Sequence, residues 1–279
     1  MPEIYGSDAF SPREVARKVE DVGVSKARAP FIETSMLGIL AGGFVGLGGL
    51  YFTLVTAGAG PDTLQPGIRV LGGIVFAIGY VIAILSGTEV FTSNNLLVMS
   101  WAARKISAFD LLRNWLLILA ANGIGAFGLA LVFVYSGLPG MNEEALGKRA
   151  LEIAVQKVTL PFGQVFFLGV LGNLFVCIAV WISMEGRSVT DKILALMLPL
   201  SALGALNLEH VLATLYFIPR AMLMQLVHPE ITVAGIEALT FGAFLKNLLA
   251  VTLGNIVGGT FMVALVYHVV YRLNPREDH

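Results

Sequence analysis

The sequence predicts an all-α integral membrane protein, with six spanning helices set as two inverted three-helix repeats whose second and fifth helices are broken. Three observations carry that prediction. Of 279 residues, 56% are hydrophobic and only 13% charged, against about a quarter charged in an ordinary soluble domain. Six apolar runs are long enough to cross a ~30 Å hydrocarbon core, which takes about 20 helical residues. Two pairs of those runs resemble one another at a separation of three spans.

The first thirty residues carry Glu3, Asp8, Arg13, Glu14, Arg17, Lys18, Glu20 and Lys26 without an apolar core, so no cleaved signal peptide is expected. Residues 1–30 predict a cytoplasmic segment with an amphipathic helix on the membrane surface, over about 12–23. A transmembrane domain follows over 31–272, with spans near 37–57, 70–103, 115–136, 162–184, 193–227 and 248–271. Residues 273–279 are expected as a cytoplasmic tail. In the first span, "GILAGGFVGLGGLYF" sets Gly38, Gly42 and Gly46 four residues apart, with Gly43, Gly48 and Gly49 nearby. Small residues at that period let helix backbones approach closely.

Sorting lysine and arginine by alternate loops places Arg13, Arg17, Lys18, Lys26, Arg28, Arg104, Lys105, Arg113, Arg187, Lys192, Arg272 and Arg276 on one side. The other side receives Arg69, Lys148, Arg149, Lys157, Arg220 and Lys246. That bias predicts both termini in the cytoplasm. The single cysteine, Cys177, lies within a span, excludes an internal disulfide and reads as a small packing residue. A formal net charge of -1 and the lack of a basic recognition pattern give no indication of nucleic-acid binding. No metal-ligand spacing or nucleotide signature is present, so no cofactor is expected.

The third and sixth spans carry the repeat. "NWLLILAANGIGAFGLALV" begins at Asn114 and "NLLAVTLGNIVGGTFMVALV" at Asn247; each sets a second asparagine eight positions on, Asn122 and Asn255, and a glycine three further, Gly125 and Gly258. The second and fifth spans are each too long for one crossing and are interrupted by polar residues, "SGTEVFTSNN" in one and "NLEH" in the other. Three intervening spans reverse the direction of crossing, which makes the halves inverted repeats. Broken backbone at membrane depth is tolerated where it is buried in protein or lines a wet cavity, and each half-helix start presents N–H groups that favour anions.

His210 is the leading candidate for function, because ionisable side chains in a membrane interior are costly and mark pathways or proton relays. His228, His268 and His279 lie at or beyond span ends and are expected as interfacial residues. Glu89 and Glu209 occupy corresponding positions in the two breaks, where each is expected to accept hydrogen bonds from the N–H groups its own break frees. Thr92, Ser93, Asn94 and Asn95 supply short polar groups at the first break, as caps or as donors to a passing anion. Lys157 stands just ahead of the fourth span, with Asn173 inside it. Such a lysine either snorkels to the interface or gathers anions at a pore mouth.

Four segments are similar to a known family. "GTEVFTSN" resembles the G-x-E-L-F-T segment of the formate/nitrite transporters. "GNLFVCIAVW" resembles their fourth-span G-N-x-L-V-C-L-A-V-W, "LEHVLATLYFIP" their E-H-S-x-A-N-M-x-x-I-P, and "NLLAVTLGNIVGG" their N-L-I-P-V-T-x-G-N-I-I-G-G. The resemblance implies an aquaporin-like fold, a homopentamer with one pore per subunit, a multi-pass place in the inner (cytoplasmic) membrane, and passage of small monovalent anions such as formate, nitrite or hydrosulfide. It matches His210 to the central pore histidine and Thr92 to the threonine of the broken second helix. It also matches Phe91 and Phe76 to aromatics of the inner and outer constrictions, and Lys157 and Asn173 to a lysine and asparagine near the histidine.

The chain departs from the family pattern at Val211 and Thr214, which replace serine and asparagine after E-H, and at Arg220 after I-P. Tyr80 and Leu203 stand where leucine and phenylalanine are common in the formate channels. His210, Thr92, Lys157, Asn173, Glu209 and Thr214 are thus expected at the pore, Phe76, Tyr80, Phe91 and Leu203 at its constrictions, and Glu89 with Asn94 as loop-stabilising groups. The expected partners are small monovalent anions, protons and the lipid bilayer. On this expectation Lys157 and the half-helix starts attract the anion, and His210 or its waters lend a proton for the crossing. An intramembrane enzyme is disfavoured because adjacent Glu209 and His210 point about 100° apart on a helix and no nucleophile accompanies them. A neutral-solute channel would need paired N-P-A breaks, which the chain lacks. A proton-coupled carrier of another small monocarboxylate is distinguished from an open pore by saturating flux.

Overall fold

The computed structural model describes residues 9–58 and 65–273; Glu3, Asp8, Arg276, His279 and the tail 274–279 lie outside the described residues. Helices make up nearly all of it, and the only β feature among the described residues is an isolated bridge between Ala9 and Gly186. Helix α1 spans Pro12–Arg28, α2 Phe31–Val55, α3 Pro66–Leu85, α4 Val98–Ala102 and α5 Ala108–Tyr135. Helix α6 spans Ala145–Thr159, α7 Phe162–Glu185, α8 Val189–Ala205 and α9 Val211–Val227. Helix α10 begins with Phe241–Ile256 and continues, with wider π turns, to Leu273.

Local chemistry fixes where these helices begin. Ser11, Ser107 and Ser188 each cap a helix whose third residue, Glu14, Asp110 or Asp191, bonds back to the cap, so "SPRE", "SAFD" and "SVTD" are three capping boxes. Helix α1 runs five residues past the expected Gly23, because nothing stops it before Pro30, which forces Ala29 into an extended conformation. Its buried face, including Val15, Ala16, Val19 and Gly23, packs on α4, and Ser100 Oγ donates to the Glu20 carbonyl at 2.8 Å.

Five of these helices are long and apolar enough to cross a membrane: α2, α3, α5, α7 and α10. The fifth expected span is broken at the expected place, into α8 and α9 of 17 residues each. Packing follows one scheme in both halves: α2 lies against α3 and α5 as α7 lies against α8 and α10, while α3 and α8 meet at the centre. Glycine makes those approaches close. A Cβ on Gly42 would stand 2.0 Å from the Asn122 carbonyl oxygen, and one on Gly254 would stand 2.2 Å from that of Phe166.

His268 is not interfacial as expected but 5% exposed, with Nδ1 3.4 Å from Glu20 Oε1. The cause is tertiary. Glu20 of α1 is fully buried and draws Arg272 (2.9 Å) and Lys105 (3.0 Å) around it along with the end of α10. His228 does lie at a helix end, where its Nε2 donates to the Val134 carbonyl at 3.0 Å and its Nδ1 faces Glu230 at 3.2 Å.

Two outcomes follow from the packing. Gly42→Val should lower the melting temperature in detergent markedly, since overpacking a tight core costs about 1–3 kcal/mol, whereas Gly43→Ala, whose Cβ would meet nothing nearer than 3.9 Å, should melt like the native protein. The Val134 carbonyl, then Glu230, raise the His228 pKa above its ordinary 6.5. A raised folded-state value stabilises the fold below the unfolded pKa and loses that contribution as pH climbs through the folded one. His228→Gln should therefore melt below native protein at about pH 6 and match it at about pH 8.5.

Candidate functional site

The two breaks are built alike. In the first, between α3 and α4, Gly87 turns the chain with φ 77° and Thr88 bonds back to the Ala83 carbonyl through its N–H and hydroxyl. In the second, between α8 and α9, Asn207 turns it with φ 51° and the Leu208 N–H reaches the Leu203 carbonyl. Glycine and asparagine are the residues that accept a left-handed conformation most readily. Each turn delivers a glutamate two residues later, Glu89 and Glu209, both buried.

These carboxylates meet lysines, and not the freed backbone N–H groups as expected. Lys26 Nζ lies 3.1 Å from Glu89 Oε2, and Lys157 Nζ lies 2.8 Å from Glu209 Oε1. The backbone groups are satisfied by asparagines instead. Asn122 Oδ1 accepts from the Phe91 N–H at 2.9 Å, while its Nδ2 donates to the carbonyls of Gly38 and Glu89. Asn255 Oδ1 accepts from the Val211 N–H at 2.9 Å, while its Nδ2 donates to the carbonyls of Gly169 and Glu209. A second asparagine completes each set: Asn114 bonds the Lys26 carbonyl and Asn94, and Asn247 bonds the Lys157 carbonyl and Thr214. A carboxylate prefers an ammonium within reach to a single backbone amide, because charge-assisted pairs are the stronger ones.

Lys157 therefore neither snorkels nor stands free; it is 4% exposed and held by Glu209, which is fully buried. Asn94 does brace Glu89, donating to Oε2 at 2.7 Å. Thr214 bonds Asn247 at 3.1 Å, with Glu209 Oε2 3.5 Å away. Asn173 is not bonded to the histidine: its Nδ2 joins Asn95 Oδ1 (3.0 Å) to the Asn255 carbonyl (2.7 Å), tying the first break to α10. Cys177 packs beside it, fully buried.

His210 itself caps α9, with extended backbone and Nδ1 accepting the Leu212 N–H at 3.2 Å. That bond leaves the proton of a neutral imidazole on Nε2, which donates to Thr92 Oγ1 at 2.9 Å across from the first break. Tyr80 packs edge-on against the imidazole, with ring centroids 5.1 Å apart and its hydroxyl 2.5 Å from Nδ1 and 2.7 Å from Nε2. All three residues are fully buried. Phe76 lies tilted against Tyr80, ring centroids 5.9 Å apart, and lines, with Leu203, Phe52, Phe217 and Lys157, a cavity. A second cavity, bordered by Arg69, Arg149 and Gln156, shares Phe52, Ile153, Gly204 and Asn207 with the first. Phe91 lies apart from these cavities, edge-on to Trp115 at 6.3 Å.

The partnership of Lys26 with Glu89 was missed by sequence reasoning, although a signal existed. Lys26 and Lys157 each stand twelve positions ahead of a glycine, Gly38 and Gly169, whose carbonyl the paired asparagine takes. Arg220, fully buried in α9, was also missed as more than a departure from pattern. Among the described residues, no group of three or more histidine, cysteine or acidic side chains could hold a metal ion.

Apolar helices around a buried histidine, with cavities bordered by Lys157, Arg69 and Arg149, define a multi-pass membrane protein with a polar interior. Comparison with known proteins makes the class specific: the formate/nitrite transporter model matches residues 13–269, and the chain belongs to that family. It is 34% identical over 281 residues to the formate channel FocA of Escherichia coli strain K12, covering 98% of each chain. It is 32% identical to formate channel FocA of Haemophilus influenzae, covering 93% of this chain and 94% of that one. Among solved structures it resembles a pentameric formate channel with formate bound, at 32% identity and a TM-score of 0.78, over 86% of this chain and 97% of that one. An FNT family ion channel shares the fold, at 24% identity and a TM-score of 0.79.

The buried ion pair gives a direct test. Lys157→Met should lower stability by about 3–5 kcal/mol by leaving Glu209 an unpaired buried charge. The double variant Lys157→Met/Glu209→Gln should regain most of that loss; melting curves of the two that coincide would refute the pairing as a stabilising constraint.

Proposed function

We propose that this chain forms a homopentameric channel of the inner membrane, with both termini cytoplasmic, that passes small monovalent weak-acid anions, formate first among them. Its six spans form two inverted repeats, a reading supported by the duplicated Lys–Glu–Asn–Asn bonding of the two breaks. The observation that carries the function is the buried set His210, Thr92 and Tyr80, in which a titratable ring joins the two breaks. An isolated anion is costly in such an apolar passage. The anion gathers in the cavity beside Lys157 and takes one proton that His210, or water it holds, has first taken up from the entry side, so that the imidazole returns to its neutral form. It crosses the Phe76 and Phe91 constrictions as the neutral acid, and returns the proton on the far side.

Stopped-flow uptake of formate, nitrite and hydrosulfide into liposomes, followed with an internal pH-sensitive dye, tests the proposal. Formate flux should follow the pH gradient, and His210→Ala should abolish that dependence. Unchanged flux and pH dependence in His210→Ala would sink the proton role, and failure of all three anions to cross would sink the channel.

A further inference from the structure

We propose that Arg220 is an anion-attracting residue, a buried cation without a counter-charge among the described residues, that draws anions into the cavity between Phe52, Phe76 and Phe217. The inference rests on the reading of that cavity as an anion route. Arg220 is fully buried within α9. Its Nη1 donates to Thr53 Oγ1 at 3.0 Å and lies 3.4 Å from Tyr216 Oη, both neutral hydroxyls. Its Nε and Nη2 have no hydrogen-bond partner, and no carboxylate pairs with it among the described residues. The rings of Phe133, Tyr216 and Phe217 enclose the guanidinium at 5.0, 4.8 and 5.1 Å.

The neighbouring cations differ from it in one respect. Lys157 is neutralised by Glu209 and Arg149 is paired with Glu152 at 3.1 Å. Arg220 thus supplies the uncompensated charge of this buried region. Phe217 is the wall that connects it to the cavity, since that ring lines the cavity, lies 5.1 Å from the Arg220 guanidinium and has Lys157 Nζ at 5.9 Å. Across one buried aromatic ring the field of a unit charge is weakly screened. An arginine with two idle nitrogens in a membrane interior lowers stability. A guanidinium placed there for structure would have its donors filled.

The test compares native protein with Arg220→Met, Arg220→Gln and Thr53→Val. The last removes a hydrogen bond and keeps the charge. Half-saturating formate concentration is read from liposome flux, and formate binding from NMR saturation transfer to formate in detergent. Both neutral variants should raise the half-saturating concentration roughly tenfold, the scale of one buried charge acting over several ångströms, and weaken saturation transfer to match. Arg220→Met should melt no lower than native protein, and Thr53→Val should keep native affinity. Native affinity in Arg220→Met and Arg220→Gln, or the same loss in Thr53→Val, would overturn the inference. Should native protein carry no formate, the channel reading fails, and saturation transfer alone decides: a signal lost in Arg220→Met upholds the charge role, and equal or absent signals refute it.

Discussion

A carboxylate in the interior of a membrane protein has to be paired, and the rest of this structure depends on how Glu89 and Glu209 meet that requirement. Each is delivered by a left-handed turn at the end of a half-helix and held by a lysine from the element before the neighbouring span. The lysine also explains the asparagines, because its own backbone carbonyl is taken by Asn114 or Asn247. Once carboxylate, ammonium and carbonyl are fixed, Asn122 and Asn255 have fixed positions from which to satisfy the broken backbone. Interrupting a helix inside an apolar protein is tolerable only when that accounting is complete.

The two breaks are equivalent in backbone bonding and different in chemistry. Where the second presents His210, the first presents Val90, and it is Thr92 that reaches across to the imidazole. Tyr80 then packs against the ring from α3. With Nδ1 holding the Leu212 N–H and Nε2 donating to Thr92, both nitrogens of the neutral ring are engaged, and the Tyr80 hydroxyl packs against the ring. The Tyr80 hydroxyl covers the imidazole from α3, so the residue at position 80 sets how much of the ring is left uncovered.

Charge balance varies along the proposed route. Arg69 and Arg149 border the outer cavity, Lys157 lies farther in as one half of an ion pair, and Arg220 stands behind the aromatic wall with its charge unmatched. Compensated charges stabilise structure and contribute little net field, whereas an uncompensated one acts at a distance. The arrangement separates the two tasks among different residues.

The sequence by itself determined the class and the parts: apolar runs, interrupted second and fifth spans, the asparagine and glycine repeat, and the histidine in a break. These are legible because hydropathy, periodicity and turn chemistry act over a few residues. Only the tertiary structure decided the partners. Lys26 and Glu89 are 63 positions apart, Lys157 and Glu209 52, and Tyr80 and His210 130. Beyond the matching lysine-to-glycine spacing no local pattern reports such pairs, so the segments taken alone place Glu209 on backbone amides, Asn173 near the histidine and His268 at the interface. Each assignment was chemically reasonable for the isolated segment. What displaced it was a stronger partner, an ammonium, a second asparagine or a buried glutamate, brought within 3.5 Å by helices packing through glycine.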